Sequence, residues 1–355
     1  MGKERRLLFL VASLGVGGAQ KIAAFVMNAC IRAGYKVSVI SLSEDELNVE
    51  LDKKIECTYV RYNHKNKYLR KIDEIMSVKN IIKNAKPDIV IVFGSYTFPS
   101  IGVVCAGVPA IGCERGDPYT YSKFRQMLNK LIYKKYIFSV FQSEGARDYY
   151  GLDYKKTAVI CNPCFDVDVS ALKKEKVISA AGRLSIDKGF DTLIDAFNII
   201  KDDIPDYKVV IYGDGPYRDE LRKKIDIMKL NDRVTLFGKV KKIPEYIGSS
   251  SLFVLSSWFE GLPNVLIEAM ALGLPIVSTD CSPGGARFLM DNGNRGGIIV
   301  PINDSSKMAE AIKYIIFHKE EAAILAEKGK DLISLYSPTK IELQWIRLFN
   351  NILNK

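Results

Sequence analysis

Short apolar segments alternate with segments of helical periodicity along this chain, and the alternation starts afresh in the second half. In the first half the apolar segments are Leu7–Ser13, Lys36–Leu42, Cys57–Tyr62, Asp88–Phe93 and Val108–Cys113. In the second half they are Val177–Ala181, Lys208–Tyr212, Val234–Gly238, Leu252–Leu255, Pro275–Thr279 and Ile298–Pro301. Because helices rather than hairpin turns separate these short runs, they predict parallel strands that helices cover on both faces.

The segments of helical periodicity predict the helices that connect these strands. They are Ala19–Ala33, Met76–Lys83, Phe190–Lys201 and Tyr217–Lys229. A length of 355 residues favours two domains. We therefore predict an α/β chain with two Rossmann-like domains, 1–165 and 166–338. Their strands would present their carboxyl ends to a central cleft.

The excess of positive over negative charge lies entirely in the first half of the chain. Residues 1–165 contain 25 Lys and Arg against 15 Asp and Glu, whereas residues 166–355 contain 26 of each kind. This asymmetry predicts an anionic partner, either a membrane surface or a nucleic acid. An amphipathic stretch follows the first apolar run at once, so we interpret that run as a strand rather than a signal peptide and expect a cytoplasmic protein. No apolar run reaches the roughly 18–20 residues that span a bilayer.

The first glycine-rich motif, Leu14–Gln20, lies at a strand-to-helix junction. Gly17 and Gly18 would let a ligand approach the backbone at the start of the helix. A dinucleotide fingerprint needs a third glycine where Gln20 stands. Acidic residues do follow the second strand, so this element by itself leaves an oxidoreductase open, as well as a tight turn without a ligand.

A second motif after the strand Val177–Ala181 carries two cations, Arg183 and Lys188, between Gly182 and Gly189. An arginine grips a phosphate with two hydrogen bonds, and a lysine adds a point charge. The alternative is a surface loop with solvated cations, but the flanking glycines leave room for a ligand.

A third motif contains two carboxylates eight residues apart, Glu260 and Glu268, on either side of a turn into a helix near Asn264. Glu268 would lie about one turn into that helix, where a carboxylate accepts from the two hydroxyls of a ribose. The free N–H groups at the helix start are suited to a diphosphate, and Glu260 would face a sugar. In isolation, such glutamates are most often caps and solvated charges.

The ordered set of Ala180–Gly189, Gly213–Pro216, Glu260–Ala271 and Gly273–Asp280 resembles glycosyltransferase family 4. These are retaining enzymes of the GT-B fold that use nucleotide sugars. The resemblance is dense over residues 177–300 and weaker in the first half, where Gly17–Ala19 and Phe141–Gly145 match. It implies an acceptor-binding domain at 1–165, a nucleotide-sugar-binding domain at 166–338, and a C-terminal helix within 339–355 that returns to the first domain.

The resemblance also implies a role for each matching residue. Arg183 and Lys188 would hold the donor diphosphate, and Glu260 would bind hydroxyls of the transferred sugar. The other donor-binding positions would be Gly17, Gly18, Gly182, Gly238, Val240, Asn264, Val265, Leu266 and Glu268. Among them, Glu268 would bind the ribose, and Gly238 and Val240 would lie along the base. No cofactor and no metal is implied beyond the nucleotide sugar.

The chain departs from the family pattern at one point. Many relatives place a histidine near the donor sugar in the first domain, but neither His64 nor His318 matches that position. The segment that begins after Val108–Cys113 is the candidate substitute, with Glu114, Arg115 and Asp117 as acceptor or sugar contacts. The alternative is an exposed polar loop.

Two signals near the domain join do not favour a site. Cys161 and Cys164 have redox spacing but do not open a helix. Asp166 and Asp168 resemble a metal-binding pair. However, Arg183 and Lys188 of the loop after Val177–Ala181, here called the donor loop, would already serve a diphosphate. We interpret both as parts of a linker.

A basic and aromatic segment, Tyr121–Phe138, has the spacing of an amphipathic helix, and Lys65–Lys71 adds four cations. Such a helix is suited to an anionic membrane surface, although an ordinary core-facing helix with a solvated basic face is an equal alternative. No stacking or groove-reading module favours nucleic acid. A polyprenyl-diphosphate-linked acceptor at the inner leaflet would use both membrane contact and positive charge.

These observations and the resemblance together predict a retaining glycosyltransferase at the inner face of the cell membrane. It would move a hexose or N-acetylhexosamine from a UDP-sugar to a glycan or lipid-linked acceptor in capsular or exopolysaccharide synthesis. Since no carboxylate is identified for a covalent intermediate, front-face attack is the hypothesis for retention. The alternatives are a UDP-sugar epimerase on the same fold and a non-catalytic nucleotide-sugar-binding partner.

Overall fold

A computed structural model of the chain describes residues 5–15, 17–44, 49–165 and 174–354. The chain divides into two compact units. The first consists of Met1–Pro163 with Thr339–Lys355, and the second of Cys164–Pro338. Each unit is a parallel sheet covered by helices, so the predicted α/β class is confirmed for both halves.

The first unit is built on a seven-stranded sheet. Its strands are β1 (Arg6–Val11), β2 (Lys36–Ser41), β3 (Glu56–Tyr59), β4 (Ile89–Phe93), β5 (Ala110–Cys113), β6 (Phe138–Phe141) and β7 (Thr157–Val159). The order is β3-β2-β1-β4-β5-β6-β7, and all neighbours are parallel. The order therefore reverses between β1 and β4, where ligands bind to sheets of this type.

Five helices connect these strands. They are α1 (Gly18–Arg32), α2 (Lys67–Ala85), α3 (Thr97–Ala106), α4 (Lys123–Tyr133) and α5 (Glu144–Tyr150). The prediction of one helix over Tyr121–Phe138 was wrong at its end, because Phe138 begins β6. Helix α2 begins earlier than predicted, since the Asn66 side chain accepts from the N–H group of Tyr68 at 2.8 Å and caps it.

Helix α3 had no sequence signal, because Pro99 and Gly102 both weaken helical propensity. The tertiary packing explains the glycine: a Cβ atom at Gly102 would lie 2.5 Å from the carbonyl oxygen of Ile75 in α2. The missing side chain thus lets α2 and α3 approach each other closely.

The second unit is built on a six-stranded parallel sheet. Its strands are β8 (Val177–Ala181), β9 (Lys208–Tyr212), β10 (Val234–Gly238), β11 (Leu252–Leu255), β12 (Ile276–Thr279) and β13 (Gly297–Val300). Its helices are α6 (Phe190–Ile200), α7 (Arg218–Ile227), α8 (Ile243–Ile247), α9 (Asn264–Ala271), α10 (Gly285–Leu289), α11 (Ser305–Phe317) and α12 (Lys319–Ile333). The strand order β10-β9-β8-β11-β12-β13 reverses between β8 and β11.

The last helix, α13 (Pro338–Leu353), packs within the first unit. Its Trp345 is fully buried, and its ring centroid lies 6.0 Å from that of Phe93 at the end of β4. Glu342 pairs with Arg32 of α1 at 2.5 Å. These contacts attach the end of the chain to the beginning of it, across the whole of the second unit in sequence.

Candidate functional site

The loops that follow β8 and β11 carry three of the predicted side chains. Arg183 and Lys188 follow β8, and Glu260 follows β11. Because these strands are parallel neighbours, their carboxyl ends meet at one edge of the sheet. This edge is also the point where the strand order reverses, so the predicted residues lie where a doubly wound sheet places its ligands.

The backbone of the β8 loop is anchored next to its first cation. Leu184 is fully buried, and its N–H group donates to the carbonyl of Asp214 in the next loop at 3.1 Å. Gly213 has φ +141°, and a Cβ atom there would lie 1.8 Å from the carbonyl oxygen of Gly182. The anchored loop leaves Arg183 exposed, without a side-chain hydrogen bond or ion pair to any described residue.

The second cation of the loop is held by the predicted sugar-binding carboxylate. Lys188 Nζ lies 2.6 Å from Glu260 Oε1, and the Lys188 and Glu260 side chains are 20% and 18% exposed, respectively. Ser257 Oγ also donates to Glu260 Oε1 at 2.9 Å. The structure thus brings together two residues that lie 72 positions apart, and it pairs them with each other rather than leaving them free.

A tight turn presses the two loops against each other. Gly189 has φ +60°, and a Cβ atom there would lie 2.2 Å from the carbonyl oxygen of Ser256. Ser256 Oγ donates to the carbonyl of Lys188 at 2.7 Å, and the backbone N–H group of Trp258 donates to the carbonyl of Asp187 at 2.8 Å. These contacts fix the backbone that carries Lys188, so the ion pair is set by the main chain.

Helix α9 starts just beyond this pair. The Leu266 N–H group donates to the carbonyl of Pro263 at 3.0 Å, whereas the Val265 N–H group makes no hydrogen bond within the described ranges. Asn264 is the first helical residue, and Glu268 lies half-buried one turn in. The Leu266 N–H group is therefore engaged at the helix start, whereas the Val265 N–H group remains available within the described ranges.

The end of β10 carries the predicted base-binding positions, Gly238 and Val240. Gly238 has φ +104° and accepts from the Gly213 N–H group at 2.8 Å. Next to it, the ring centroids of Phe237 and Tyr246 lie 5.6 Å apart, and both side chains are partly exposed. Sequence reasoning missed this aromatic pair, because its members come from β10 and α8.

In the first unit, Gly17 and Gly18 lie at the start of α1, and Val16 lies outside the described residues. The Gln20 side chain folds back over Gly17, where a Cβ atom would lie 2.2 Å from its Oε1 atom. Gln20 Nε2 also donates to Ser13 Oγ at 3.2 Å. The residue that breaks the dinucleotide fingerprint thus fills the space that a third glycine would leave open.

The predicted acceptor candidate Glu114 is buried in the first unit. Its carboxylate accepts from the hydroxyls of Tyr150 at 2.5 Å and Tyr121 at 3.1 Å, and from the Gly116 N–H group at 3.1 Å. Burial raises the pKa of the Glu114 carboxyl, and these hydrogen bonds oppose that effect. This geometry favours a structural role in the loop after β5.

Arg115 and Asp117 are also held within the first unit. The Arg115 guanidinium lies 4.2 Å from the ring centroid of Phe93 and 5.2 Å from that of Trp345. Burial lowers the pKa of Arg115. Asp117 accepts from the Tyr119 N–H group at 2.8 Å and caps a 3-10 turn. Contact of these residues with an acceptor or sugar stays a prediction.

Each histidine contacts a side chain of its own unit. His64 precedes α2, and its Nδ1 lies 2.9 Å from Asp73 Oδ1. His318 follows α11 and stacks on Tyr314 at a centroid distance of 4.2 Å. Among the described residues, no cluster of three or more His, Cys, Asp or Glu side chains is arranged to hold a metal. The pair Asp166 and Asp168 lies outside those residues.

The two parallel-sheet units have the GT-B fold. The second unit presents cations, a carboxylate and a helix start at the reversal point of its sheet. Residues 166–332 match the family described as glycosyl transferases group 1. The second unit therefore carries a glycosyl transferases group 1 domain. This result agrees with the expected glycosyltransferase domain, whereas membership of family 4 stays a prediction.

Two curated relatives match the chain over almost its full length. An N-acetylgalactosaminyltransferase of Campylobacter jejuni, named as acting on GalNAc-alpha-(1->4)-GalNAc-alpha-(1->3)-diNAcBac-PP-undecaprenol, is 24% identical over 98% of this chain and 99% of its own length. The amylovoran biosynthesis glycosyltransferase AmsD of Erwinia amylovora is 26% identical over 98% of this chain and 99% of its own length.

A solved structure confirms the fold. HepE of Anabaena, crystallised in complex with UDP, superposes with a TM-score of 0.78 at 19% identity. The match covers 98% of this chain and all of that one.

Proposed function

We propose that the protein is a retaining glycosyltransferase that moves a hexose or N-acetylhexosamine from a UDP-sugar to a glycan or polyprenyl-diphosphate-linked acceptor. It would act in bacterial surface-polysaccharide assembly, at the inner face of the cell membrane. The observation that carries this proposal is the meeting of Arg183, the Lys188–Glu260 pair and the start of α9 at one edge of the second sheet.

This edge offers positive potential to a leaving diphosphate. Arg183 is exposed and has no carboxylate partner among the described residues, so its guanidinium is available for two hydrogen bonds to phosphate oxygens. The Val265 N–H group and the dipole of α9 add a fixed donor. In this proposal the two cations stabilise the diphosphate charge as it develops, and no metal is required.

The pair of Lys188 and Glu260 would act on both sides of the bond that breaks. Glu260 Oε1 already accepts from Lys188 and Ser257, which orients the carboxylate for hydroxyls of the transferred sugar. Lys188 has three N–H donors, so it would donate to the diphosphate while it still donates to the Glu260 carboxylate. Glu268, one turn into α9, would accept from the ribose hydroxyls.

Retention would follow from attack on the face that the diphosphate leaves. The bond from the anomeric carbon to the phosphate oxygen breaks, and the acceptor oxygen forms its bond on the same side. The acceptor proton passes to the departing phosphate oxygen, so UDP and the glycoside are the products. The transition state would resemble an oxocarbenium ion, which the Glu260 carboxylate helps to orient through the sugar hydroxyls.

The names of the relatives support the acceptor class. One relative is named for a PP-undecaprenol substrate and the other for amylovoran biosynthesis. The complex of HepE with UDP supports the donor class on the same fold. None of these names identifies the sugar of this chain.

Helix α4 supports contact with a membrane surface. Its exposed face combines apolar and basic side chains, namely Lys123, Phe124, Met127, Lys130 and Leu131, and the exposed Lys134 follows directly after the helix. Phe124 is 62% exposed, and Leu131 two turns later is 54% exposed. An exposed apolar stripe between lysines is suited to an anionic lipid surface. Within the described ranges, no helix is long and apolar enough to cross a bilayer.

Ligand-dependent thermal unfolding tests the donor site. We expect UDP and UDP-sugars to raise the melting temperature of the wild type more than other nucleoside diphosphates, and Arg183→Ala to remove most of that increase. Ligand at about 100 times its dissociation constant stabilises by roughly 2.7 kcal/mol. Arg222→Ala is the matched control, because Arg222 is an exposed arginine of α7 in the same unit. An equal UDP-induced rise of the melting temperature in Arg183→Ala and Arg222→Ala would count against the donor loop.

Product analysis tests the reaction. Transfer to a polyprenyl-diphosphate-linked sugar, with the anomeric configuration of the donor kept in the product by nuclear magnetic resonance, supports the proposal. An inverted product would overturn retention alone. Conversion of the UDP-sugar without any acceptor would favour an epimerase instead.

A further inference from the structure

We propose that a cavity between α2, α3 and α4 of the first unit binds the diphosphate of the lipid-linked acceptor. The cavity has a volume of about 640 Å³. This inference rests on the proposed function for the choice of acceptor. The cavity itself is defined by its own residues, and none of them belongs to the donor loop.

The cavity opens at the carboxyl edge of the first sheet. Its lining includes Leu42, which follows β2, and Tyr96, Thr97 and Phe98 at the start of α3 after β4. The Tyr96 hydroxyl donates to the carbonyl at the end of β4 at 2.8 Å and accepts from the N–H group of Ala12 after β1 at 3.0 Å. Tyr96 thus marks the reversal point of this sheet, where a doubly wound fold binds ligands.

Four cations from two helices and the loop before α2 line the cavity. They are Lys65, Arg70, Lys71 and Arg125. In the part of the chain that the structure describes, no carboxylate oxygen lies within 4 Å of any of their nitrogens, although many other surface cations of this chain are paired at that distance. Four unpaired cations around one concave space create a strong positive potential.

Aromatic and neutral polar groups hold three of these cations in place. Arg125 donates from Nη2 to the carbonyl of Ser95 at 2.7 Å and from Nε to Thr97 Oγ1 at 3.0 Å. The Arg70 guanidinium lies 4.2 Å from the ring centroid of Tyr62, and Lys71 Nζ lies 4.5 Å from that of Phe98. These partners orient the cations and, being neutral, do not cancel their charge.

The lining also contains a carboxylate, Glu74. Burial raises the pKa of Glu74, and the charges of Arg70 and Lys71 oppose that effect. Its presence reduces the net charge of the described lining from four positive to three positive, so a group with more than one negative charge fits best. A diphosphate supplies that charge, and its oxygens accept from arginine and lysine donors.

Exposed apolar side chains next to these cations point to an anion that carries a lipid. Leu69 and Ile72 flank Arg70 and Lys71 on α2, and Phe124 precedes Arg125 on α4. All three apolar side chains are more than two-fifths exposed. A soluble anion would not need them, whereas a diphosphate at the end of a polyprenyl chain would place its first isoprene units beside such groups.

Inorganic pyrophosphate is the first probe. It is titrated by calorimetry, at fixed ionic strength, into the wild type, the pocket variant Arg70→Ala/Lys71→Ala, and the donor-loop variant Arg183→Ala. Because the proposed donor loop also takes a diphosphate, we expect two binding events in the wild type. The pocket variant should bind pyrophosphate at the cavity about tenfold or more weakly, since two charge-assisted contacts are lost. Arg183→Ala should weaken the donor-loop event and leave the affinity of the cavity within about twofold of the wild type, because Arg183 does not line the cavity. Unchanged affinity in the pocket variant would overturn the proposal.

The matched control is Lys155→Ala/Lys156→Ala. It removes the same two positive charges from exposed residues of the first unit that lie just before β7 and outside the cavity. An equal loss in this control would show a net-charge effect and overturn the site. Lys65→Ala, which lies outside every helix, gives a second variant if the change in α2 impairs folding.

UDP binding, measured on the same proteins, separates the two proposals. Loss of pyrophosphate binding in the pocket variant with UDP binding kept supports the cavity. Absence of UDP binding in the wild type would overturn the donor proposal and leave the result on the cavity unaffected.

Vesicles separate the two sources of the phosphate group. Flotation compares phosphatidylcholine vesicles that contain a polyprenyl diphosphate with vesicles that contain phosphatidylglycerol. If the pocket variant loses binding to the vesicles with polyprenyl diphosphate but still binds those with phosphatidylglycerol, the result supports the acceptor diphosphate. Equal loss of both kinds would assign the cavity to phospholipid headgroups and overturn the acceptor assignment.

Discussion

The ion pair between Lys188 and Glu260 is the contact on which the proposed donor site depends, and a double-mutant cycle tests the strength of that pair. Lys188→Met keeps most of the side-chain volume and removes the charge, and Glu260→Gln removes the other charge at almost constant shape. Each single change strands a mostly buried charge, because both side chains are no more than one-fifth exposed. The double variant removes both charges, so we expect its free energy of unfolding to fall by less than the sum of the two single losses.

The magnitude follows from the geometry. Two unit charges at the observed separation of 2.6 Å attract by about 6 kcal/mol at an effective dielectric constant of roughly 20. Desolvation and side-chain entropy offset most of this attraction. A coupling free energy of about 1–3 kcal/mol remains, as is usual for side chains in direct contact. Ser257 still donates to Glu260 after Lys188→Met, which favours the lower half of that range.

The assay is urea unfolding of the four proteins, followed by tryptophan fluorescence. The chain has two tryptophans, Trp258 in the second unit and Trp345 in the first. A Trp345→Phe background therefore makes the fluorescence report the unit that contains the ion pair. This choice matters because a protein of two units need not unfold in one transition.

The exposed pair Lys176–Asp206 is the matched control. Its nitrogen and oxygen are also 2.6 Å apart, but the Lys176 and Asp206 side chains are 60% and 67% exposed. The same cycle on this pair should give a clearly smaller coupling, because water screens both charges. Couplings of equal size in the two cycles, or a coupling below about 0.5 kcal/mol for Lys188 and Glu260, would refute the reasoning.

Two further predictions concern the first unit. Trp345→Ala should destabilise the first unit by about 3–5 kcal/mol, measured by thermal unfolding. Leu343→Ala, at a position that is 48% exposed, should change its stability by no more than about 0.5 kcal/mol. Similar effects of the two changes would show that α13 is not docked. Burial raises the pKa of Glu114, so its stabilising contribution is present below the ordinary carboxyl pKa and is lost as the pH rises through the raised value. The stability of Glu114→Gln relative to the wild type should therefore increase as the pH rises above the ordinary carboxyl pKa, and parallel curves of stability against pH would contradict this expectation.

The strands of the second unit could be predicted almost to the residue. Val177–Ala181, Lys208–Tyr212, Val234–Gly238 and Leu252–Leu255 have the predicted bounds. Strands that are buried on both faces need apolar side chains at nearly every position, and glycines or charged residues end each run. This signal is local, so the sequence carries it in full.

The first unit was less predictable, because packing there overrides local preference. Helix α3 contains a proline and a glycine and is stabilised by its contact with α2. Strand β6 follows α4 after only a few residues, so one continuous basic pattern covered a helix and a strand. Propensity cannot separate two elements when the burial that distinguishes them comes from distant parts of the chain.

Residue chemistry and order along the chain were sufficient to predict the GT-B fold and the loops of the proposed donor site. The cations, the carboxylates and the glycines occur at short spacings, and their roles depend on charge and backbone freedom. Only the tertiary structure determined which of them touch. It paired Lys188 with Glu260, engaged Glu114 with two tyrosine hydroxyls, and gathered four unpaired cations around one cavity of the first unit. Such contacts depend on the order of strands in a sheet, and that order results from long-range packing rather than from any local run of residues.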